Sequence, residues 1–105
     1  VGAKLKTMST KVHSVHFDAD IKLINFINNK VSKLSLFFDN IVASEVFLRL
    51  DKAQDKSNKI AEVRLVLPGR ELFAKKQSKT FEEATDLAVE ALRRQVRRYK
   101  GKMLD

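Results

Sequence analysis

The chain has 105 residues, 44% of them hydrophobic, and 21 Lys and Arg against 13 Asp and Glu give it a net charge of +8. That length fits one domain with a real but modest core, and no apolar run is long enough to span a bilayer. Cysteine is absent, which excludes disulfides, thiolate metal sites and Cys nucleophiles, while the positive excess favours anionic partners.

Residues 1–7 precede Met8 and read as an expression remnant or a loose arm, leaving 8–102 as the domain and 103–105 as a short tail. No N-terminal stretch joins a basic start to an apolar segment, so a cytoplasmic protein is expected rather than a secreted one. The β-branched run Lys11-Val12-His13-Ser14-Val15-His16-Phe17 predicts a first strand. Asp18 and Asp20 follow, with Asp20 the favoured N-cap of a helix from Ile21 to about Phe37. In that helix Leu23, Ile24, Ile27, Val31 and Leu34 share one side, and Lys22, Phe26, Asn29, Lys30 and Lys33 share the other.

Asp39-Asn40 breaks the helix, and the period then drops to that of a strand. Val46, Leu48 and Leu50 are predicted inward, with Glu45, Phe47 and Arg49 outward. Residues 52–58 are polar and form a hairpin tip, after which Ala61, Val63, Leu65 and Leu67 point inward and Glu62 and Arg64 outward. Pro68-Gly69 marks a tight turn into a short last strand from Glu71 to Lys75. Thr80-Phe81-Glu82-Glu83 has the pattern of a capping box. The helix it opens runs to about Lys100, burying Ala84, Leu87, Ala88, Ala91, Leu92 and one side of Tyr99.

The order β-α-β-β-β-α predicts an α+β domain, a four-stranded mixed sheet with two helices packed on one face. A crossover through the first helix sets strand one parallel to a neighbour. Both helices then turn their wet sides to the same surface of the molecule.

The strongest functional signal lies at the C-terminal end, Ala91-Leu92-Arg93-Arg94-Gln95-Val96-Arg97-Arg98-Tyr99-Lys100-Gly101-Lys102, where six residues are basic and none is acidic. On a helical wheel Arg93, Arg97 and Lys100 point away from the apolar stripe, and Arg94 and Arg98 flank it. Acids near the start of a helix and cations near its end suit the macrodipole, but that effect is worth roughly 0.3–1 kcal/mol per charge and fades beyond the terminal turn. Glu90 is the only acid placed to reach Arg93 or Arg94. Most of the cations therefore stay uncompensated, as a surface for RNA or DNA requires.

On the first helix Lys22, Lys30 and Lys33, with Asn25 and Asn29, make an ordinary wet face when taken alone. Phe26 among them has two readings, a rim residue packed on a loop or an aromatic that stacks on a nucleotide. Lys75, Lys76 and Lys79, just before the last helix, are expected to extend the same positive area. His13 and His16 lie three apart on a strand, hence on opposite faces, with no further ligand spaced for a metal. Pro68-Gly69 is a turn and no phosphate loop, and no Ser/His/Asp constellation or carboxylate pair is visible. No enzyme, cofactor or small-molecule substrate is expected. Membrane attachment would need bulky apolar residues free to insert, and these are committed to the sheet. Surface chemistry alone leaves open a general basic RNA- or DNA-binding regulatory module.

From about Met8 to Lys102 the chain resembles the short ribosome hibernation-promoting factors, relatives of the ribosome-associated inhibitors and sigma-54 modulation proteins, in the style of Bacteroidetes-like members. The resemblance rests on His16-Phe17-Asp18-Ala19-Asp20, Lys30-Val31-Ser32-Lys33-Leu34 and Leu67-Pro68-Gly69. It is most specific in Leu72-Phe73-Ala74-Lys75, in Ser78-Lys79-Thr80-Phe81-Glu82-Glu83-Ala84 and in the run from Ala91 to Lys100. It implies a fold akin to double-stranded-RNA-binding domains and binding in the small-subunit cleft, across the sites for messenger and transfer RNA. It implies this role for Lys22, Lys30, Lys33, Lys75, Lys76, Lys79, Arg93, Arg94, Arg97, Arg98 and Lys100. With its last residue at Asp105, the chain is expected to lack the dimerisation domain of the long forms, so that pairing of ribosomes would call on a second factor.

Overall fold

The element order is β1 (Ser9–Ser14), α1 (Ile21–Ser32), a 3-10 turn (Lys33–Leu36), β2 (Ala43–Leu50), β3 (Lys59–Leu67), β4 (Arg70–Ser78) and α2 (Phe81–Leu104). This computed structural model describes residues 9–15, 17–38, 40–52 and 56–104. The expectations placed on residues 1–8, His16, Asp39, residues 53–55 of the hairpin tip and Asp105 lie outside them. The predicted α+β order is found, with a mixed sheet in the order β1-β2-β3-β4. β1 pairs parallel with β2, and the other neighbours are antiparallel.

One face of the sheet is a row-by-row apolar floor. Val12, Val46, Val63 and Ala74 lie opposite one another across all four strands, and Leu65 pairs with Leu72. Strand alternation delivers every second side chain to this face. Ile27, Val31 and Leu34 of the first helical segment and Ala84, Ala88, Leu92 and Val96 of α2 close over it in one buried cluster. Ser44 is buried on the same face, and its hydroxyl donates to Thr10 Oγ1 at 2.9 Å, joining β1 to β2 without an unpaired polar group.

Local chemistry sets the element ends. Asp20 caps α1 as expected, its carboxylate accepting the Leu23 N–H at 2.9 Å. The α-helix stops at Ser32 instead of reaching Phe37. Ser32 and Ser35 donate their hydroxyls back to the carbonyls of Asn29 and Ser32 at 3.1 and 2.7 Å, competing with the helical ladder where the chain tightens into 3-10 form. Gly69 takes φ 77°, the left-handed value that the third position of a type II turn requires. The predicted capping box is half formed: Thr80 Oγ1 accepts the Glu83 N–H at 3.0 Å, but the Glu83 carboxylate accepts from Ser78 instead.

Three expectations are corrected. β4 runs on to Ser78, because its polar end pairs in register with β3 as far as Lys59. Leu50, predicted inward, is exposed at the last position of β2, beyond the cover of the helices. Leu87 is 47% exposed. It lies about one-third of a turn from the helical angle of Ala88, on the stripe that continues through Arg94 and Arg98, and Val89 and Val96 are buried in its place.

Candidate nucleic-acid interface

Both helices run in the same direction across the sheet. Phe17 stacks on Phe81 with ring centroids 5.0 Å apart, Lys30 meets Asp86 at 3.0 Å, and Phe37 lies under Arg93 with 4.6 Å from guanidinium carbon to ring centroid. The helix layer thus has two ends. Lys22, Lys76 and Lys79 belong to the end where both helices start, beside Glu82 and Glu83. Lys33, Arg93, Arg94, Arg97, Arg98 and Lys100 gather where both helices finish.

The finishing end is the more cationic. Arg94, Arg97 and Arg98 are exposed, and among the described residues no carboxylate lies within ion-pair distance of them. Lys22 and Lys33 are exposed as well. The first helical segment ends there against α2, which itself runs on to Leu104, so the terminal carbonyls at hand are those of the first segment. Lys100 caps them directly, its ammonium donating to the Phe37 carbonyl at 2.6 Å.

Other predicted residues are engaged elsewhere. Lys30 is spent on Asp86 across the helix–helix seam. Arg93 was expected to point to solvent, yet it is half-buried against the 3-10 turn, 3.5 Å from Glu90 and over the Phe37 ring. Phe26 is a partly buried residue packed on the core, with the Lys30 ammonium 5.7 Å from its ring centroid.

Lys75 does not join the helix surface. Leu72 and Ala74 face the helices, so alternation sends Lys75 to the open side of the sheet, where its ammonium is 4.0 Å from Glu62. That side is a ladder of balanced charge: Arg49 pairs with Glu62, and Arg64 bridges Glu45 and Glu71. His13 stacks on Phe47 in the same face, and among the described residues no group of side chains is arranged to hold a metal.

Two residues at the cationic end escaped the sequence reading. Because β4 runs antiparallel to α2, its first residue Arg70 arrives beside the end of the helix, with its guanidinium 5.2 Å over the Tyr99 ring and next to Arg98. Phe37, 41% exposed, is an accessible aromatic at this end. The Pro-Gly turn was a usable signal for Arg70, since it reverses the chain toward that end; periodicity held none for Phe37.

The profile of the family described as sigma 54 modulation protein / S30EA ribosomal protein matches residues 10–104. A ribosome hibernation promoting factor of Pseudomonas putida is 25% identical over 95 residues, covering 90% of this chain and 89% of its own. That of Azotobacter vinelandii is 26% identical over 98 residues, covering 93% and 88%. A ribosome hibernation promotion factor of Bacillus subtilis is 27% identical over 96 residues, 91% of this chain but only 50% of that protein. In fold, the chain is similar to a ribosomal subunit interface protein from Coxiella burnetii, with TM-score 0.79 at 21% identity over 90% of this chain and 99% of that one. The N-terminal domain of Thermus thermophilus Protein Y gives 0.74 at 20% identity, over 89% and 98%. Element order, basic helix end and matching profile agree: this chain belongs to the sigma 54 modulation protein / S30EA ribosomal protein family.

Proposed function

We propose that this protein is a non-enzymatic ribosome hibernation factor that binds small-subunit rRNA through the basic surface of its two helices. Bound there, it occludes the sites for messenger and transfer RNA. The observation that carries the reading is the exposed group Arg94, Arg97 and Arg98 in the C-terminal half of α2, which has no carboxylate within ion-pair distance among the described residues. Arginine forks onto phosphate oxygens and stays charged at any working pH. An even row of such groups on a rigid helix reads the shape and phosphates of folded RNA rather than its base sequence. The names of the relatives, hibernation factors and a subunit interface protein, supply the ribosome as partner.

The charge-reversed variant Arg94→Glu/Arg97→Glu/Arg98→Glu tests this, because these side chains are exposed and make no ion pair among the described residues. It is expected to lose co-sedimentation with small subunits while keeping its thermal unfolding midpoint. Engaging ~5–8 phosphates gives the native protein a log–log salt slope of roughly −4 to −7. Undiminished sedimentation of the variant would sink the assignment. Equal affinity for generic duplex RNA would favour a general RNA-binding module instead.

A further inference from the structure

We infer that the groove between the 3-10 turn and the C-terminal half of α2 receives one unpaired nucleobase, which extends the stack of Phe37 on Arg93. This rests on the RNA-binding reading above and deepens it from phosphate neutralisation to base contact. The groove has a volume of about 430 Å³ and is lined by Leu36, Phe37, Arg93, Val96, Arg97 and Lys100. Its floor is apolar where a folded domain has no need for exposed apolar surface: Leu36 is 79% and Phe37 41% exposed. Its rim is cationic: the described residues that line it include Arg93, Arg97 and Lys100 and no acid, and Glu90 pairs with Arg93 at 3.5 Å.

The stack is already built. The Arg93 guanidinium carbon lies 4.6 Å from the Phe37 ring centroid, and Arg93 Nη1 donates to Glu90 at 3.5 Å, so the ring and the carboxylate together hold the guanidinium. Lys100 fixes the turn from below through the Phe37 carbonyl. Holding the aromatic in place beforehand removes an ordering cost from binding.

A flat apolar face bearing phosphate on either side is the occupant that suits an apolar floor with a cationic rim. An unpaired nucleotide offers both; a duplex hides its base faces, and an apolar peptide carries no anion for Arg97 and Lys100.

The test measures binding of a short unstructured RNA, and of the same RNA with abasic sites, to the native chain and to Phe37→Ala, Phe37→Leu and Phe37→Trp. Phe37→Ala and Phe37→Leu are each expected to weaken the base-bearing RNA by roughly 5- to 150-fold, leaving abasic affinity and salt slope unchanged. Leu keeps apolar packing in the turn without the ring, so agreement of the two variants separates stacking from a disturbed fold. The chain has no tryptophan, so Phe37→Trp introduces a single reporter. It is expected to restore affinity and to be quenched by the base-bearing RNA alone. Equal losses on both RNAs, or equal quenching by both, would overturn the base pocket and leave the groove to a protein partner. Native chain that binds neither RNA yet co-sediments with small subunits would overturn the base pocket alone; native chain that binds neither RNA nor small subunits would overturn the RNA-binding reading as well.

Discussion

Lys30 belongs to the lysine face of α1, yet its ammonium lies 3.0 Å from Asp86 of α2. The pair is half exposed, with side chains 32% and 54% accessible. Water screens such a pair, so its contribution to stability is at most about 0.2–1 kcal/mol. Its larger effect is to withhold a cation from any partner. Asp86→Ala should therefore cost less than about 1 kcal/mol in a urea titration, while the salt slope of RNA binding steepens by about 0.7–0.9 for the one phosphate Lys30 can then engage. An unaltered slope would show that Lys30 stands clear of the bound RNA. The two phenylalanines mark what single residues disclose. Periodicity placed Phe26 among the lysines, and the structure adds that it packs on the core. Phe37 became visible only through the 3-10 turn, which the hydroxyls of Ser32 and Ser35 tighten and no helical wheel shows.

Element type was legible wherever one face of an element is buried, because burial enforces a strict period on the side chains. β2 and β3 alternate as predicted through Val46, Leu48, Val63 and Leu65. The same rule applied to β4 would have sent Lys75 to the open face. The expectation that Lys75 extends the helix surface instead rests on its place in the sequence just before α2, which says nothing of the face it takes in the strand. Caps were legible through side-chain chemistry, and Thr80 is a direct case. Its hydroxyl accepts the Glu83 N–H, one of the donors that the start of α2 leaves without a helical partner. Thr80→Ala should destabilise the protein by about 0.5–2 kcal/mol, and Thr80→Ser should restore most of it. Urea unfolding of the three proteins reads this directly. Equal midpoints would mean that the Glu83 N–H finds water at no cost.

At the scale of the whole molecule, the parallel run of the two helices sorts the cations by distance along one axis. Lys79 and Arg97 are 18 positions apart in sequence, and α2 spans nearly all of that interval. At about 1.5 Å per residue the two ends are ~27 Å apart, several times the ~8 Å screening length of physiological salt. On the proposed reading each end would therefore act on a polyanion independently, and net charge alone would not decide binding. Reversing Lys22, Lys76 and Lys79 to Glu changes the net charge from +8 to +2, three reversals of two charges each. Reversing Arg94, Arg97 and Arg98 makes the same change. A surface that binds by overall charge would lose equal affinity in both variants. The acid-free finishing end instead predicts an unequal result: the arginine variant loses ribosome association at physiological salt, and the lysine variant keeps most of it. The open face supplies a further control, since Lys75→Ala removes a cation from the balanced ladder beside Glu62 and should leave association unchanged. Parallel losses in the two triple variants, measured by co-sedimentation over a salt series, would replace the localised interface with a diffuse positive field.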